Sequence, residues 1–364
     1  MDTKHLRIAF VYDSKADQIA RGCTEEEASA YSSTVFIESV TQSLQRLGHE
    51  VIDVGHVRNL ARRLVQGEGD HWDMVFTISE GVFGNAKEVQ VPALLDAYQI
   101  PYTFSDAACL AVAADKAKTK MILQHHNIPT LPFFLIPHRE AASPENLQKW
   151  LSKSGLEVFK EKPLFIKPTC EGGSNGINHK NKLTSFGDLV QKVTDMRIRF
   201  PRQDLMVETF ADGREFTVAI IGNGNQAKVL GVLEFLRLPS KADSEEDNID
   251  FATYKVKSVA TAVWFQIVNV THEDSDEVRE AARIGLETFQ VLDCRDLGRI
   301  DIRSVGRGVG ARPQVLEINS IPGLRPDNSH VPILAEQEGW TYDELIAMLV
   351  SQTMERSDRK RVSN

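Results

Sequence analysis

The sequence predicts an α/β protein built from three successive units. Strand and helix patterns alternate through the first hundred residues, prolines then mark a change of pattern, and long apolar strands dominate after Pro201. The length of 364 residues, with 42% hydrophobic and 26% charged residues, is ordinary for a globular protein and sufficient for two or three hydrophobic cores. We place the units at residues 1–110, 111–203 and 204–364.

The first unit has a βαβα pattern. The apolar runs RIAFVY, VIDV and MVFTI have strand character, and the segment SSTVFIESVTQSLQRLG has the spacing of an amphipathic helix. A further helical segment, VPALLDAYQI, ends at Pro101. This order predicts a parallel sheet with helices on both of its faces.

The second unit begins with a long alanine-rich helix, predicted from Asp106 to Asn127, which runs into the proline-marked segment IPTLPFFLIP. A strand, LFIKP, follows at residues 164–168 and leads into the glycine-rich loop TCEGGSNG. A helix is predicted from about Ser185 to Val193.

The third unit contains the predicted strands LMVETF, EFTVAIIG and KVLGVLEFLR. The acidic, aperiodic stretch PSKADSEEDNIDFATYK predicts a mobile loop that covers a site. A helix, SDEVREAARIGLETFQV, precedes two strands, LGRIDIRSV and VLEINS, and a last helix begins at Thr341.

Composition excludes several classes of protein. The formal charge of −9 argues against a nucleic-acid binder, because such proteins need a basic surface to replace phosphate counterions. No apolar run approaches the ~20 residues of a membrane span, so we expect a cytoplasmic protein with no membrane partner. The four cysteines lie far apart and form no CxxC pair, which predicts reduced thiols and neither a zinc site nor a disulfide framework.

The stretch VLEINSIPG places two oxygen-bearing side chains on one face of a strand. Side chains alternate along a strand, so Glu317 and Asn319 point the same way while Leu316 and Ile318 are expected in the core. Carboxylate and amide oxygens are ligands that Mg²⁺ accepts, with phosphate oxygens and water completing its shell. The alternative is an edge strand with a solvated polar face.

The segment LGRIDIR repeats that arrangement. Arg299 and Asp301 share a face of their strand. If this strand lies beside the one that carries Glu317 and Asn319, three oxygen ligands and one guanidinium converge, and such a cluster is costly without a metal and phosphate. The alternative is a surface salt-bridge ladder across an antiparallel pair.

Phosphate-binding character is found at the glycine-rich loop and at two lysines. Bare backbone N–H groups of a loop such as EGGSNG can approach phosphate oxygens closely, although Asn175-Gly176 also fits a plain hairpin turn. Lys167 ends an apolar strand and is expected to reach an anion, because a buried unpaired lysine would be costly. Lys116 lies on the alanine-rich helix, where a solvated helix face is the alternative.

The ordered set of Lys116, KPTCEGGSNG, VETFADGREFTV, GRIDIR and LEINSIPG resembles the ATP-grasp ligases and, within them, the D-alanine–D-alanine ligase family. The resemblance runs from the first strand to the last helix. It implies an ATP-grasp architecture, in which an N-terminal parallel α/β domain precedes central and C-terminal ATP-grasp domains. It also implies ATP and Mg²⁺ as cofactors, with one or two ions for which Mn²⁺ can substitute.

The resemblance also implies roles for individual residues. Residues expected to contact ATP are Lys116, Lys167, Glu171, Gly172, Gly173, Ser174, Glu208, Thr209, Phe210, Ala211, Glu215 and Leu316. Within that set the two lysines would contact phosphates, the segment from Glu208 to Ala211 would hold adenine through its backbone, and Glu215 would take the ribose hydroxyls. The implied metal ligands are Asp301, Glu317 and Asn319.

Catalytic and substrate roles follow in the same way. Arg299 would face the transferred phosphate and the tetrahedral oxyanion, and Lys255, beside Tyr254, would belong to the loop that covers the site. Ser329 would lie near a substrate carboxylate as part of the catalytic group. The implied substrate-binding residues are Arg325, Ser329, His330 and Glu80.

Departures from the family pattern lie on the substrate side. The family's glycine, serine and glutamate signature after the first strand is absent, and Glu25, Glu26 or Glu27 could supply the carboxylate instead. Gly173 stands where the phosphate loop commonly has the first of two serines. The turn before Ser329 contains Arg325, whose guanidinium can bind a carboxylate through two parallel N–H bonds, so a substrate with an additional or differently placed acid group is expected. The alternative is that Arg325 is solvated on the turn.

These observations favour an ATP-dependent carboxylate–amine ligase that acts through an acyl phosphate on small-molecule amino-acid or amine substrates. The alternative from another class is an ATP-binding regulatory protein that kept the fold without turnover, and the presence of Arg299 argues against it because a pure binder needs no oxyanion partner. A ligase that makes thioesters or carboxylates a cofactor is a third reading, disfavoured by the lack of a swinging-arm domain. Whether the protein is a homodimer is left open.

Overall fold

The computed structural model describes residues 5–25, 28, 31–156, 163–173, 175–237 and 265–363. Several predictions fall outside this part of the chain, namely those on Glu26, Glu27, Ser174, Tyr254, Lys255 and the acidic loop.

Eleven helices and twelve strands follow one another in the described residues. The helices are α1 (Lys15–Ala20), α2 (Thr34–Arg46), α3 (Val57–Val65), α4 (Gln90–Ala97), α5 (Ala107–Ala113), α6 (Lys116–His125), α7 (Pro144–Ser154), α8 (Phe186–Arg199), α9 (Asp276–Val291), α10 (His330–Gln337) and α11 (Tyr342–Ser363). The strands are β1 (Arg7–Val11), β2 (Glu50–Gly55), β3 (Met74–Thr77), β4 (Phe133–Ile136), β5 (Leu164–Pro168), β6 (Lys182–Leu183), β7 (Leu205–Thr209), β8 (Glu215–Asn223), β9 (Lys228–Arg237), β10 (Phe265–Asn269), β11 (Arg295–Val305) and β12 (Arg312–Asn319).

The N-terminal sheet is parallel, with strand order β2-β1-β3. Its two faces are covered by helices, because β1 is apolar on both sides: Ile8 and Phe10 pack into one core and Ala9 and Val11 into another. The βαβα pattern of the sequence is thereby confirmed. One of these cores also contains residues of β11 and α11, so the N-terminal sheet packs directly against the C-terminal unit.

The central sheet is antiparallel, with strand order β4-β7-β5-β6. Helices α7 and α8 cover it through Leu147 and Leu189. Strand β7 pairs with both β4 and β5, so the central sheet extends beyond the predicted boundary between residues 203 and 204. This extension was not predictable, because apolar strands lie on both sides of that boundary and composition does not show which strands pair.

The C-terminal sheet is antiparallel, with strand order β10-β9-β8-β11-β12, and α9 packs on it through Ile284 and Phe289. Leu123 of α6 and the following Ile128 belong to the same core. The predicted start of the central unit at residue 111 therefore includes a helix that packs on the C-terminal sheet.

The single helix predicted from Asp106 to Asn127 is wrong, since the segment forms two helices. The side chain of Asp106 caps α5, and that of Asp115 accepts hydrogen bonds from the backbone N–H groups of Ala117 and Lys118 to cap α6. The high alanine content predicted one continuous helix, so Asp115 was not recognised as the N-cap of a second helix. As a result Lys116 is the first residue of a helix, and its backbone N–H donates to the carbonyl of Thr169, 3.0 Å away. Helix α8 also continues past the predicted end, to Arg199.

A β-bulge alters the alternation of β12. Asp301 pairs with Glu317, but the next residue, Ile302, pairs with Val315, which leaves Leu316 without a partner on β11. Val315 and Ile318 are buried in the C-terminal core. The expectation that Leu316 points into the core is therefore wrong, because the extra residue moves its side chain to the same side as Glu317.

In the part of the chain that the structure describes, every helix is too short or too polar to cross a lipid bilayer.

Candidate active site

A cleft of about 720 Å³, open to solvent, lies between the central and C-terminal sheets. Its walls come from α6, β5, β7, β8, β11 and β12 and from the glycine-rich loop. The lining residues are Lys116, Leu131, Phe165, Lys167, Pro168, Glu171, Asn175, Ile177, Glu208, Thr209, Phe210, Ala211, Glu215, Asp301, Arg303, Leu316 and Glu317.

Most of the residues predicted to contact ATP line this one cleft. Of that set, Gly172 and Gly173 lie in the adjoining loop and are not part of the wall. A Cβ atom placed on either glycine would meet nothing within 4 Å, so no contact inside the protein demands a glycine there. Gly173 has a φ of +57°, a backbone conformation that favours glycine.

The floor of the cleft contains a buried charge triad, defined here as Lys120, Glu208 and Lys167. Glu208 Oε1 lies 2.7 Å from Lys167 Nζ, and Glu208 Oε2 lies 2.5 Å from Lys120 Nζ. Lys120 is only 1% exposed and Lys167 only 6%. Two cations on one carboxylate leave the triad with a net positive charge, which suits an anionic ligand.

Burial and pairing act in opposite directions on these groups. Burial would raise the pKa of Glu208, but the charges of Lys120 and Lys167 outweigh it and the net shift is downward. Burial lowers the pKa of Lys120 to about 8, against the opposing effect of Glu208. The carboxylate thus remains ionised and holds both lysines in fixed positions.

Lys116, at the start of α6, connects two walls of the cleft. Its Nζ lies 3.2 Å from Glu317 Oε2 and also donates to the backbone carbonyl of Glu171. The alternative of a solvated helix face is not supported, because the ammonium group lies within the cleft and not on the helix surface.

The implied metal ligands converge across one strand pair. Asp301 lies opposite Glu317, and Arg299 lies opposite Asn319, on the antiparallel strands β11 and β12. Thr217 donates its hydroxyl to Asp301 Oδ1 at 2.7 Å, and Arg299 Nε donates to the same oxygen at 3.1 Å. The strand adjacency on which the sequence argument depended is therefore present.

The donor set fits a hard divalent cation. Two carboxylates and one amide offer oxygen atoms, and the amide nitrogen of Asn319 is buried with no hydrogen-bond partner, which leaves the orientation of this amide free to follow a ligand. Among the described residues no group of three or more His, Cys, Asp and Glu side chains is arranged to hold a metal. An ion at this place would need phosphate oxygens to complete its shell.

The hinge region expected to hold adenine is aromatic and cationic. Phe210 lies 6.2 Å from the ring of Phe165, and the guanidinium carbon of Arg303 lies 4.9 Å from the centre of the Phe210 ring. Arg303 Nη1 also lies 3.5 Å from Glu215 Oε2. Glu215 thus has a cation beside it at the wall of the cleft.

The glycine-rich loop is stabilised by a hydrogen bond between two of its own side chains and by close packing against Phe200. Asn175 Nδ2 donates to Glu171 Oε2 at 2.6 Å. A Cβ on Gly176, whose φ is +81°, would lie 2.8 Å from the ring of Phe200. The turn at Asn175-Gly176 therefore belongs to the loop that forms part of the cleft wall. The interpretation as a phosphate-binding loop and the interpretation as a hairpin turn are compatible.

The turn that follows β12 does not line the cleft. Ser329 Oγ accepts a hydrogen bond from the backbone N–H of Arg325 at 3.0 Å. The guanidinium of Arg325 forms two bonds to Asp327, of 2.6 and 2.7 Å. His330 Nδ1 lies 3.4 Å from Arg299 Nη1, so the turn adjoins the predicted catalytic arginine.

Glu80 also lies outside the cleft, beyond the end of β3. Burial raises its pKa to about 8, with further contributions from Glu88 and Asp13. Glu25, one of the three alternative carboxylates, is exposed and pairs with Lys15 Nζ at 2.7 Å. The structure therefore does not group Glu25 with Glu80.

Sequence reasoning missed several residues in the cleft, beside it and around Glu80. Lys120 follows Lys116 by four positions, which puts both on one face of a helix, and this spacing was the available signal. Arg303 follows Asp301 by two positions on one strand face. Phe165, Asp13 and Glu88 carried no comparable signal, because their significance depends on which strands are neighbours.

Comparisons with known proteins agree with this geometry. Residues 122–351 match the family described as D-ala D-ala ligase C-terminus. The uncharacterized protein y4sG of Sinorhizobium fredii is 30% identical over 318 residues, which cover 85% of this chain and 84% of that protein. A D-alanine–D-alanine ligase of Acinetobacter baumannii is 29% identical over 285 residues, covering 78% of this chain and 81% of that enzyme.

Solved structures show the same fold. Two crystal structures of the D-alanine–D-alanine ligase from Bacillus anthracis, one of them complexed with ATP, match with TM-scores of 0.71 and 0.69 at 18% identity. Each covers 98% of this chain and 99% of the matched chain. The predicted fold class and the resemblance drawn from the motifs are confirmed. The chain therefore belongs to the D-alanine–D-alanine ligase family and is an ATP-grasp ligase.

Proposed function

We propose that this protein is an ADP-forming ligase that joins the carboxylate of one small molecule to the amine of another. The carboxylate takes the terminal phosphoryl group of ATP to form an acyl phosphate and ADP. The amine then attacks the acyl carbon, loses a proton and displaces inorganic phosphate. The single observation that carries the proposal is the pairing of Asp301 with Glu317, beside Arg299 and Asn319, at the wall of a cleft that contains Lys116 and Lys167.

Each part of the cleft suits one part of the nucleotide. The Phe165 and Phe210 rings offer apolar surface for a base, and Glu215 offers a carboxylate to ribose hydroxyls. Lys116, Lys167 and the glycine-rich loop would contact the phosphates. Asp301, Glu317 and Asn319 would hold Mg²⁺, which when bound neutralises charge that develops on phosphate oxygens.

Arg299 would stabilise the negative charge that develops on the reacting oxygens. Its Nε and Nη2 bond to Asp301, and its Nη1 is directed toward His330, so the guanidinium is held in place before any substrate binds. A preorganised cation requires no rearrangement during the reaction. The helix that starts at His330 and the turn before it would border the amino-acid side of the site.

The experiment is a phosphate-release assay with Mg²⁺ and ATP, supplied with single amino acids, pairs of amino acids, and amino acids with simple amines. We expect phosphate release that depends on both organic substrates. A parallel titration measures ATP binding. Tight ATP binding with no phosphate release from any combination would overturn the ligase proposal and favour a regulatory ATP-binding protein.

A further inference from the structure

Three carboxylates lie together at the carboxyl edge of the N-terminal sheet, outside the nucleotide cleft. Asp13 follows β1, Glu80 follows β3, and Glu88 lies on a short 3-10 turn, Lys87–Val89, that packs against α5. We call this group the acidic pocket. Ligands of open parallel sheets bind at this edge, where the carboxyl ends of the strands meet.

The acidic pocket is built into the fold and is not an accident of surface side chains. Asp13 Oδ2 accepts hydrogen bonds from the hydroxyl of Ser79 at 2.5 Å and from the backbone N–H of Gly81 at 2.9 Å, so it fixes the residues on both sides of Glu80. A Cβ on Gly81 would lie 2.2 Å from the carbonyl oxygen of Lys87. The segment that carries Glu80 is therefore pressed against the turn that carries Glu88.

Two carboxylate oxygens in the acidic pocket have no hydrogen-bond partner. Asp13 is 1% exposed and its Oδ1 accepts no hydrogen bond. The Oε2 atom of Glu88 is also buried and also accepts no hydrogen bond. His56 Nε2 lies 3.7 Å from Asp13 Oδ1, but burial lowers the pKa of His56, so this ring is neutral near pH 7. Buried, unpartnered carboxylate oxygens are costly, and a cationic ligand would supply the missing partner.

The charge balance indicates more than one positive charge on that ligand. The groups that act on Glu80 are Glu88, Lys87 and Asp13, and those that act on Glu88 are Lys87, Lys116 and Glu171. Lys116 is already paired with Glu317. With all three carboxylates ionised, the single cation Lys87 would leave two negative charges, and in the absence of a ligand a proton on Glu80, whose pKa is raised to about 8, offsets one of them. A ligand that displaces this proton is balanced by two positive charges, whereas an α-ammonium group supplies only one.

The acidic pocket also lies next to the phosphate end of the nucleotide cleft. Glu88 is within electrostatic reach of Lys116 and Glu171, both of which line that cleft. The turn that carries Glu88 packs against α5, which directly precedes Lys116. A substrate whose carboxylate reaches the phosphate end can therefore place a cationic side chain near Glu80 and Glu88.

We propose that the acidic pocket binds the side-chain ammonium or guanidinium group of a diamino-acid substrate and selects it over amino acids with neutral side chains. This inference rests on the ligase function proposed above and names the substrate class of that site. Glu80 and Glu88 determine specificity, and Asp13 acts as a positioning residue that fixes the segment around Glu80.

The test compares lysine with norleucine, which has nearly the same shape but no side-chain charge, in both enantiomeric forms. Phosphate release is measured for the wild type, Glu80→Gln and Glu88→Gln, with the exposed Glu140→Gln as a matched control. We expect kcat/KM for lysine to exceed that for norleucine by about tenfold or more in the wild type and in the control. In the two pocket variants the ratio falls toward one.

Equal use of lysine and norleucine by the wild type, or a ratio that survives in both pocket variants, overturns the inference while leaving the ligase proposal intact. Absence of phosphate release with every substrate overturns the ligase proposal instead. In that case calorimetry of lysine binding decides the inference separately, because lysine binding should release protons from Glu80 and norleucine binding should not. No detectable lysine binding would then overturn it as well.

Discussion

The floor of the nucleotide cleft and the acidic pocket both contain buried or partly buried ionisable side chains, but only the first has its charges paired. In the cleft, Glu208 has a lysine on each oxygen. In the acidic pocket, one oxygen of Asp13 and one of Glu88 accept no hydrogen bond, and burial raises the pKa of Glu80 to about 8. The cleft is therefore stable before a ligand arrives, whereas the pocket stores unfavourable electrostatic energy.

This difference separates two ways of recognising a ligand. A nucleotide entering the cleft meets cations that existing carboxylates already hold in position, so it gains from preorganisation and competes with the partners that are present. A cation entering the acidic pocket gains an interaction that the free protein lacks, and it relieves repulsion between Glu80 and Glu88. Removing a charge should therefore have opposite effects on stability in the two regions.

The largest expected effect is in the cleft floor. Glu208→Gln leaves Lys120 and Lys167 buried without a counter-charge, and we expect it to lower the free energy of unfolding by about 3 to 5 kcal/mol. Urea denaturation of the wild type and the variant measures this. The double variant Lys120→Met with Glu208→Gln should recover part of the loss, because only one buried cation then remains. A loss below about 1 kcal/mol for Glu208→Gln would contradict a buried triad.

The next largest effect concerns turnover in variants of the proposed metal ligands. Asp301→Asn and Glu317→Gln each remove a charge but keep an oxygen, so we expect phosphate release to fall about a hundred- to thousandfold, equal to about 3 to 4 kcal/mol in the activation barrier. Glu317→Gln should leave the melting temperature close to that of the wild type, because the Glu317 side chain is 23% exposed. Asp301→Asn should lower it, because Asp301 is 3% exposed and accepts hydrogen bonds from Arg299 and Thr217. Asp195→Asn, on the exposed face of α8, is the control. Turnover unchanged in both variants would remove the metal assignment.

The pH dependence of stability tests the description of the acidic pocket. The folded protein binds the Glu80 proton more tightly than the unfolded chain, since the pKa of this group rises from 4.5 to about 8. Its stabilising contribution is complete below about pH 4.5 and is lost as the pH rises through about 8. Glu80→Gln does not titrate, so the melting temperature of this variant relative to the wild type should rise between pH 5 and pH 9. A constant difference over this range would show that Glu80 is not held in a desolvated, negatively charged environment.

The features that the sequence predicted are those that depend on local periodicity. Alternation along two strands was sufficient to group Asp301 with Arg299 and Glu317 with Asn319, and β pairing then brought the two groups together. The bulge at Leu316 was not predictable, because a bulge is defined by the partner strand. The acidic pocket was only partly predictable, because it joins three chain segments whose adjacency follows from strand order.

The long-range ion pairs show the same limit. Glu208 was selected for its backbone, but its side chain holds Lys120 and Lys167 through contacts that span 88 and 41 positions of the sequence. A lysine four positions after Lys116 on a helix indicates a shared face and does not indicate burial. The resemblance selected Lys167, Glu208 and Glu80 as individual residues, but the pairing of charges in the cleft and its absence in the pocket are visible only in the structure.

The smallest expected effect is at Arg325. Its side chain is 34% exposed, and the guanidinium is engaged by Asp327, which is 60% exposed, so the pair should contribute about 0 to 1 kcal/mol to stability. The contact with Ser329 comes from the backbone N–H of Arg325 and survives in Arg325→Ala. We therefore expect kcat/KM for substrates without a second acid group to change by less than about threefold, measured beside Asp327→Asn as a matched variant. A large loss restricted to substrates with two carboxylates would show that the guanidinium leaves Asp327 to bind substrate. In that case the acid-group specificity predicted from the sequence would replace the cation-binding acidic pocket as the main determinant of substrate choice.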